Sequence, residues 1–271
     1  MITKSRKLLI IIIATLCLIA GFAYVFNNCN SFCDSDNITK GSNSDIAIST
    51  EQILHEEFGY SDDYIARFKS ITAETDIQLD KFLLGKEYAE TPYTAEEIAE
   101  IIRVLKILVA QQFSVVHAVE KPTYTASAGA PGSGKTFALE KMFGINVSKN
   151  KFPENAIYIG PDSVVLSQMP THLAAYNTVG QTEAYRKWRD ASNYIANFMF
   201  IKAITDNLNI IHDTTSTSPK VKNILDALGK LGYTRNIHFY MADRDQREQA
   251  LIKRSETGAS YVTVEDALKK A

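Results

Sequence analysis

Cysteine is scarce, with three residues in 271. That excludes a disulfide scaffold for a chain of this length. Five scattered histidines show no zinc spacing. Neither charge sign dominates: 29 Lys and Arg stand against 31 Asp and Glu, a formal net charge of -2. That balance argues against a protein whose main task is coating nucleic acid, though it leaves room for a local basic patch, and no nucleic-acid partner is expected. Apolar residues are not scarce. At 45% hydrophobic and 22% charged, the composition is that of a globular chain and excludes disorder throughout. The length suits one domain and a piece, or two small domains.

The front end is unusual. Leu8 to Phe26 run without a charge for 19 residues, after Lys4, Arg6 and Lys7, and the next positive charge is Lys40. Crossing the hydrocarbon takes roughly 20 apolar residues. Residues 1–28 therefore read as a signal anchor with a transmembrane helix, and the positive-inside rule sends the rest of the chain across. The alternative is a signal peptide cleaved near Gly21-Phe22-Ala23, giving an exported protein. Residues 29–48 are rich in Asn, Ser, Asp and Gly and read as a flexible tether.

From 49 to 120 the pattern is helical. Ser49-Thr50-Glu51-Gln52 and Thr94-Ala95-Glu96-Glu97 read as capping boxes. After the second, Ile98, Ile101, Ile102, Leu105, Leu108 and Val109 recur at helical spacing, predicting one long helix from about 95 to 118. Such a stripe is core, so packing and no chemistry is expected of this region.

Residues 124–128 read as a short strand. Gly129-Ala130-Pro131-Gly132-Ser133-Gly134-Lys135-Thr136 follows, and then a helical stretch. This is GxxxxGK[ST] in a strand–loop–helix context, the phosphate-binding loop. Glycines let successive backbone N–H groups turn toward phosphates, and the helix N-terminus adds partial positive charge. Lys135 is expected at the β/γ-phosphates of ATP and Thr136 on Mg²⁺.

The segment 121–271 continues with strands and helices in alternation. Strands are predicted at 156–159, 208–212 and 236–242, and helices at about 182–206, from Ser218-Pro219 to Gly232, and from Asp243 onward. The fold class is thus α/β: a parallel sheet of P-loop NTPase type flanked by helices, behind a helical region and the N-terminal anchor. In such sheets ligands bind at the carboxyl ends of strands. Asp162 and Asp213-Thr214-Thr215 stand at two such ends beside the loop. One carboxylate suits the proton of an attacking hydroxyl, the other the substrate or Mg²⁺ through water. Arg254 suits the γ-phosphate. The plainer readings are a helix cap for Asp162 and a solvated surface for Arg254.

Four elements in order, GAPGSGKT at 129–136, Ile-Gly-Pro-Asp-Ser at 159–163, Ile-Ile-His-Asp-Thr-Thr at 210–215 and Ala-Leu-Ile-Lys-Arg at 250–254, resemble the zeta-toxin family of P-loop kinases. The resemblance implies an enzyme that uses ATP to phosphorylate the sugar 3′-hydroxyl of UDP-N-acetylglucosamine. It implies Lys135 and Thr136 for ATP and Mg²⁺, Asp162 as general base, Asp213 and Thr215 on the substrate, and Arg254 on the phosphates. A protein antitoxin is the partner it implies. Two other readings stand beside it. One is a P-loop kinase for another substrate, where the basic cluster Arg186, Lys187 and Arg189 would meet a polyanion. The other is a membrane-tethered nucleotide-binding protein with degraded catalysis.

Overall fold

The computed structural model describes residues 48–85, 92–216, 218, 220–256 and 263–269. The anchor expected over 8–26 and the tether behind it, apart from Ile48, lie outside these residues, as does Pro219. Among the described residues no helix is long and apolar enough to cross a membrane.

Among the described residues four strands form one parallel sheet: β1 (Thr123–Ala128), β2 (Ile157–Ile159), β3 (Ile210–His212) and β4 (Thr234–Phe239), in the order β2-β3-β1-β4. Tyr124 pairs with Ile210, Thr123 with Thr234, and Ile157 with Ile210. Parallel neighbours cannot be joined by hairpins, so each connection crosses over with helix. β2 is wholly buried and β1 is buried beyond its first residue, as expected of strands covered on both faces. β4 is mostly exposed. It begins two residues before the predicted start and ends at Phe239, where Tyr240 N–H donates to the Ala128 carbonyl at 2.9 Å.

The helices are α1 (Thr50–Gln52, continuing as a π turn over Ile53–Glu57), α2 (Asp62–Thr75), α3 (Leu79–Leu83), α4 (Ala95–Phe113), α5 (Lys135–Phe143), α6 (Pro170–Thr178), α7 (Gln181–Thr205), α8 (Lys220–Lys230), α9 (Arg244–Glu256) and α10 (Val264–Lys269). Both predicted capping boxes form. Ser49 Oγ accepts from Gln52 N–H while Gln52 Oε1 accepts from Ser49 N–H at 2.9 Å. Thr94 and Glu97 do the same for α4. α4 stops at Phe113 and not at 118. Ser114 Oγ bonds back to the Ala110 carbonyl at 2.8 Å, and the β-branched pair Val115-Val116 follows, a poor continuation for a helix.

The core lies between α4, the long α7 and the sheet. Ile101, Leu105 and Leu108 of α4 are fully buried, as are Tyr194, Phe198 and Ile201 of α7 and Ile157 and Tyr158 of β2. Lys202 of α7 is buried too. Its ammonium pairs with Asp206 at 2.8 Å and lies over the rings of Tyr60, Tyr64 and Phe113 at 4.8, 5.4 and 4.9 Å. An opposite charge and three ring faces together offset the desolvation of one cation. On β2's outer side, Gln112 of α4 substitutes for a neighbouring strand. Its amide accepts from Tyr158 N–H at 2.8 Å and donates to the Tyr158 carbonyl at 3.1 Å.

Candidate functional site

The loop between β1 and α5 depends on two glycines that nothing larger could replace. Gly129 has φ +137° and its missing Cβ would collide with the Tyr240 carbonyl. Gly132 has φ +82°, and a Cβ there would lie 2.7 Å from the Arg247 carbonyl oxygen. The loop is therefore pressed against the segment after β4 and the first turn of α9. Gly129 N–H donates to the Thr215 carbonyl at 3.1 Å, which ties the loop to the end of β3. Gly134 caps α5, so Lys135 and Thr136 open that helix with their N–H groups toward the loop.

Lys135 is buried and its Nζ donates to the Ala130 carbonyl at 2.8 Å, which uses one of three protons. Burial pushes its pKa down. Asp213 opposes that shift, and the charges of Arg254 and Arg247 add to it. Thr136 Oγ1 donates to Asp213 Oδ2 at 2.6 Å. The other oxygen, Oδ1, lies 3.2 Å from Ser127 Oγ, which also donates to the Thr214 carbonyl and accepts the Thr214 N–H. Burial raises the Asp213 pKa, while the bonds from Thr136 and Ser127 and the charge of Lys135 act the other way.

Asp162 follows β2 in a single π turn, Pro161–Val165, capped at Gly160 with no side-chain hydrogen bond. The helix-cap reading of this aspartate is thus not what the structure holds. Its carboxylate is half-exposed and forms an ion pair with Arg189 of α7, whose guanidinium also faces the Tyr185 ring at 5.4 Å. Asp162 is near enough to Asp213 to push the latter's pKa further up, and near enough to act on the buried His172 of α6.

Lys135, Thr136, Asp213 and Asp162 therefore gather at the carboxyl ends of β1, β2 and β3. Thr215 sits at their mouth, exposed, with its carbonyl on the loop. Arg254 is exposed on α9 but within the electrostatic reach of Lys135. Asp213, expected on the substrate, has its carboxylate on the Thr136 hydroxyl, beside the position where Mg²⁺ is expected. Ser127 and His172 lie outside every motif in the sequence, Arg247 shows there only as a helix arginine beside Arg254, and Arg189 only as part of a basic cluster. A serine inside an otherwise buried strand was the one available signal, for Ser127.

The residues fit a nucleotide polyphosphate. The loop has backbone N–H groups in a concave turn, and Ser133 Oγ is buried next to it with no hydrogen-bond partner among the described residues. Among those residues no cluster of three His, Cys, Asp or Glu would hold a metal alone. Mg²⁺ in such a site is held by a hydroxyl or a carboxylate together with phosphate oxygens, which Thr136 and Asp213 suit. A cavity of about 360 Å³ lies among α1, α2 and α3 and holds none of these residues.

The family model described as Zeta toxin matches residues 108–268. A solved structure from the PezAT chromosomal toxin–antitoxin system of Streptococcus pneumoniae is similar over 61% of this chain and 64% of that one, at 18% identity and a TM-score of 0.49. The match thus spans less than two thirds of that chain. No curated protein matches. The match at 108–268 takes in the phosphate loop, both acidic strand ends and the α9 arginines, and covers more than half of the sequence: this chain belongs to the Zeta toxin family of P-loop kinases.

Proposed function

We propose that the protein transfers the γ-phosphoryl group of ATP to a hydroxyl of a small molecule, with UDP-N-acetylglucosamine as the first substrate to test. The observation that carries this reading is the buried Lys135 of the phosphate loop next to Thr136, whose hydroxyl donates to Asp213 at 2.6 Å, with Asp162 on the turn after the neighbouring strand β2. In it, Asp162 takes the proton of the attacking hydroxyl, oriented by its ion pair with Arg189. The hydroxyl oxygen bonds to the γ-phosphorus as the bridge to the β-phosphate breaks, and ADP leaves. Lys135 and Arg254 meet the charge on the transferring group. Thr136, fixed by Asp213, would hold Mg²⁺, which would supply charge neutralisation at the phosphate oxygens. Thr215 lies toward the acceptor, with Asp213, held by Thr136 and Ser127, behind it.

The test is phosphate transfer from radiolabelled ATP. UDP-N-acetylglucosamine is offered against a panel of nucleotides, oligonucleotide ends and aminoglycosides. Label on the sugar nucleotide supports the full reading. Label on another acceptor keeps the kinase and removes the sugar. ATP binding with no transfer to any acceptor supports a nucleotide-binding protein with degraded catalysis. A zeta-type toxin implies an antitoxin protein as partner, to be sought by co-purification from the source cell. The tether reading rests on the uncharged run at 8–26. Full-length protein is expected in the membrane fraction, and protein without residues 1–28 in the soluble one. Full-length protein that is soluble without processing removes the anchor.

A further inference from the structure

Arg247 stands in a place that protein stability alone does not favour. It lies at the end of the first turn of α9, a 13-residue helix capped by Asp243, whose carboxylate accepts Gln246 N–H at 2.8 Å. A cation near a helix N-terminus meets the positive end of the dipole. Its residue is only 8% exposed, and its Nη1 is buried with no hydrogen-bond partner among the described residues. A buried guanidinium with an open donor carries a large desolvation cost unless an anion meets it. Its backbone is packed on Gly132, close enough that a Cβ there would clash. The side chain therefore starts from the wall of the phosphate loop.

Its neighbours sharpen the point. The cleft of about 520 Å³ between α9 and α10 is lined by Arg244, Arg247, Glu265, Leu268 and Lys269. Glu265 is taken by Lys269 at 2.8 Å. On the other side, Lys135 feels both Arg247 and Arg254, with Asp213 as the opposing charge. Arg247 thus adds a buried positive charge beside the loop that carries Lys135, a field that favours a polyanion there.

We infer that Arg247 is a phosphate-binding residue of the nucleotide site. Its open guanidinium N–H groups donate to the β/γ-phosphate end of ATP beside Gly132. This rests on the nucleotide-binding reading of the loop and adds to it a second arginine, buried where Arg254 is exposed. A planar fork of donors suits phosphate oxygens, and the packed backbone fixes its origin, so little side-chain freedom is left to lose on binding.

The experiment is a binding titration of the full chain with ATP, ADP and AMP, for the unmodified protein and for Arg247→Met and Arg247→Lys, with thermal melts of each. Arg247→Met is expected to weaken ATP by about 10- to 100-fold, the range for one charged hydrogen bond, and to leave AMP nearly unchanged. Arg247→Lys restores the charge without the fork and is expected to recover part of the loss for ATP only. Equal ATP affinity in a folded Arg247→Met overturns the inference while leaving the loop reading intact. Equal weakening of ATP and AMP also overturns it, because the residue then acts through the fold. If Arg247→Met does not fold, Arg247→Lys decides alone: ATP weakened relative to AMP supports the assignment, an unchanged ratio removes it. Failure of the unmodified protein to bind ATP at all, with Lys135→Ala no different, strikes the nucleotide reading itself and this inference with it.

Discussion

Asp162 after β2 and Asp213 after β3 are both aspartates at the ends of three-residue buried strands, yet their surroundings differ in kind. β3 is interior, with a strand on each side, and its aspartate is held by Thr136 and Ser127 and pushed up in pKa by burial. β2 is the outer strand, and its aspartate is half-exposed on a single turn with Arg189 as partner. A carboxylate fixed by short neighbours suits holding another group still. One on an open turn, paired by a long side chain, suits meeting a substrate and handling a proton. Two identical residue types are thus given different surroundings by the strand that presents them.

The largest effect expected from breaking this contrast is at Asp162. Asp162→Asn keeps the shape but cannot take a proton, so kcat is expected to fall by roughly 10²–10⁴ with ATP affinity retained. Steady-state phosphotransfer at saturating ATP checks it, and near-normal kcat removes the base assignment. Arg189→Leu is expected to lower kcat by up to about 10²-fold through misorientation, again without a change in ATP affinity measured alongside.

Asp213→Asn tests the other strand end. If its task is to hold Thr136 toward the metal, the Mg²⁺ concentration for half-maximal activity rises by about 10- to 100-fold. A raised KM for the acceptor with unchanged Mg²⁺ demand instead assigns it to substrate, as the family resemblance implies.

Stability separates the strands further. Gln112→Leu leaves the Tyr158 N–H and carbonyl unpaired in a buried place and is expected to cost about 2 kcal/mol or more, read from denaturant unfolding.

The smallest effects are in pH. Burial lowers His212, the last residue of β3, to about 4. Its unfolded form takes a proton near 6.5, so its contribution to stability is full above that value and lost as pH falls through about 4. Asp213 works in the opposite sense. Its folded pKa is raised, so its contribution is full below the ordinary aspartate value of about 4 and is lost as pH rises through the folded pKa. Thermal melts of His212→Gln should therefore depend less on pH between about 4 and 6.5. Asp213→Asn should gain most over the parent at neutral pH, and the gain should shrink on acidification.

The parts legible in the sequence are those set by neighbours in the chain. Both capping boxes, the α4 stripe, the loop at 129–136 and the buried strands follow from short-range spacing. β4 begins earlier than predicted because Thr234, Arg235 and Asn236 face solvent on an edge strand and show no alternation. α6 was not expected, because Pro170–Thr178 carries no apolar stripe. The pairing of Asp162 with Arg189 spans 27 positions and depends on where α7 crosses the π turn. Arg247 stands in no motif of the sequence. Its burial comes from the close approach that Gly132 permits, which no spacing in the sequence reveals.

The amide of Gln112 has a bearing on how this sheet meets other chains. Unpaired strand backbone is a template on which another strand can grow. By holding both the N–H and the carbonyl of Tyr158, Gln112 withdraws the middle of β2 from that role at the cost of a single side chain. On the β4 side, Arg235 stands on the exposed strand and donates to the Leu225 carbonyl at 2.8 Å. The sheet has one end stopped by an amide and the other guarded by charge, so any self-association through strand addition has a polarity built into the fold.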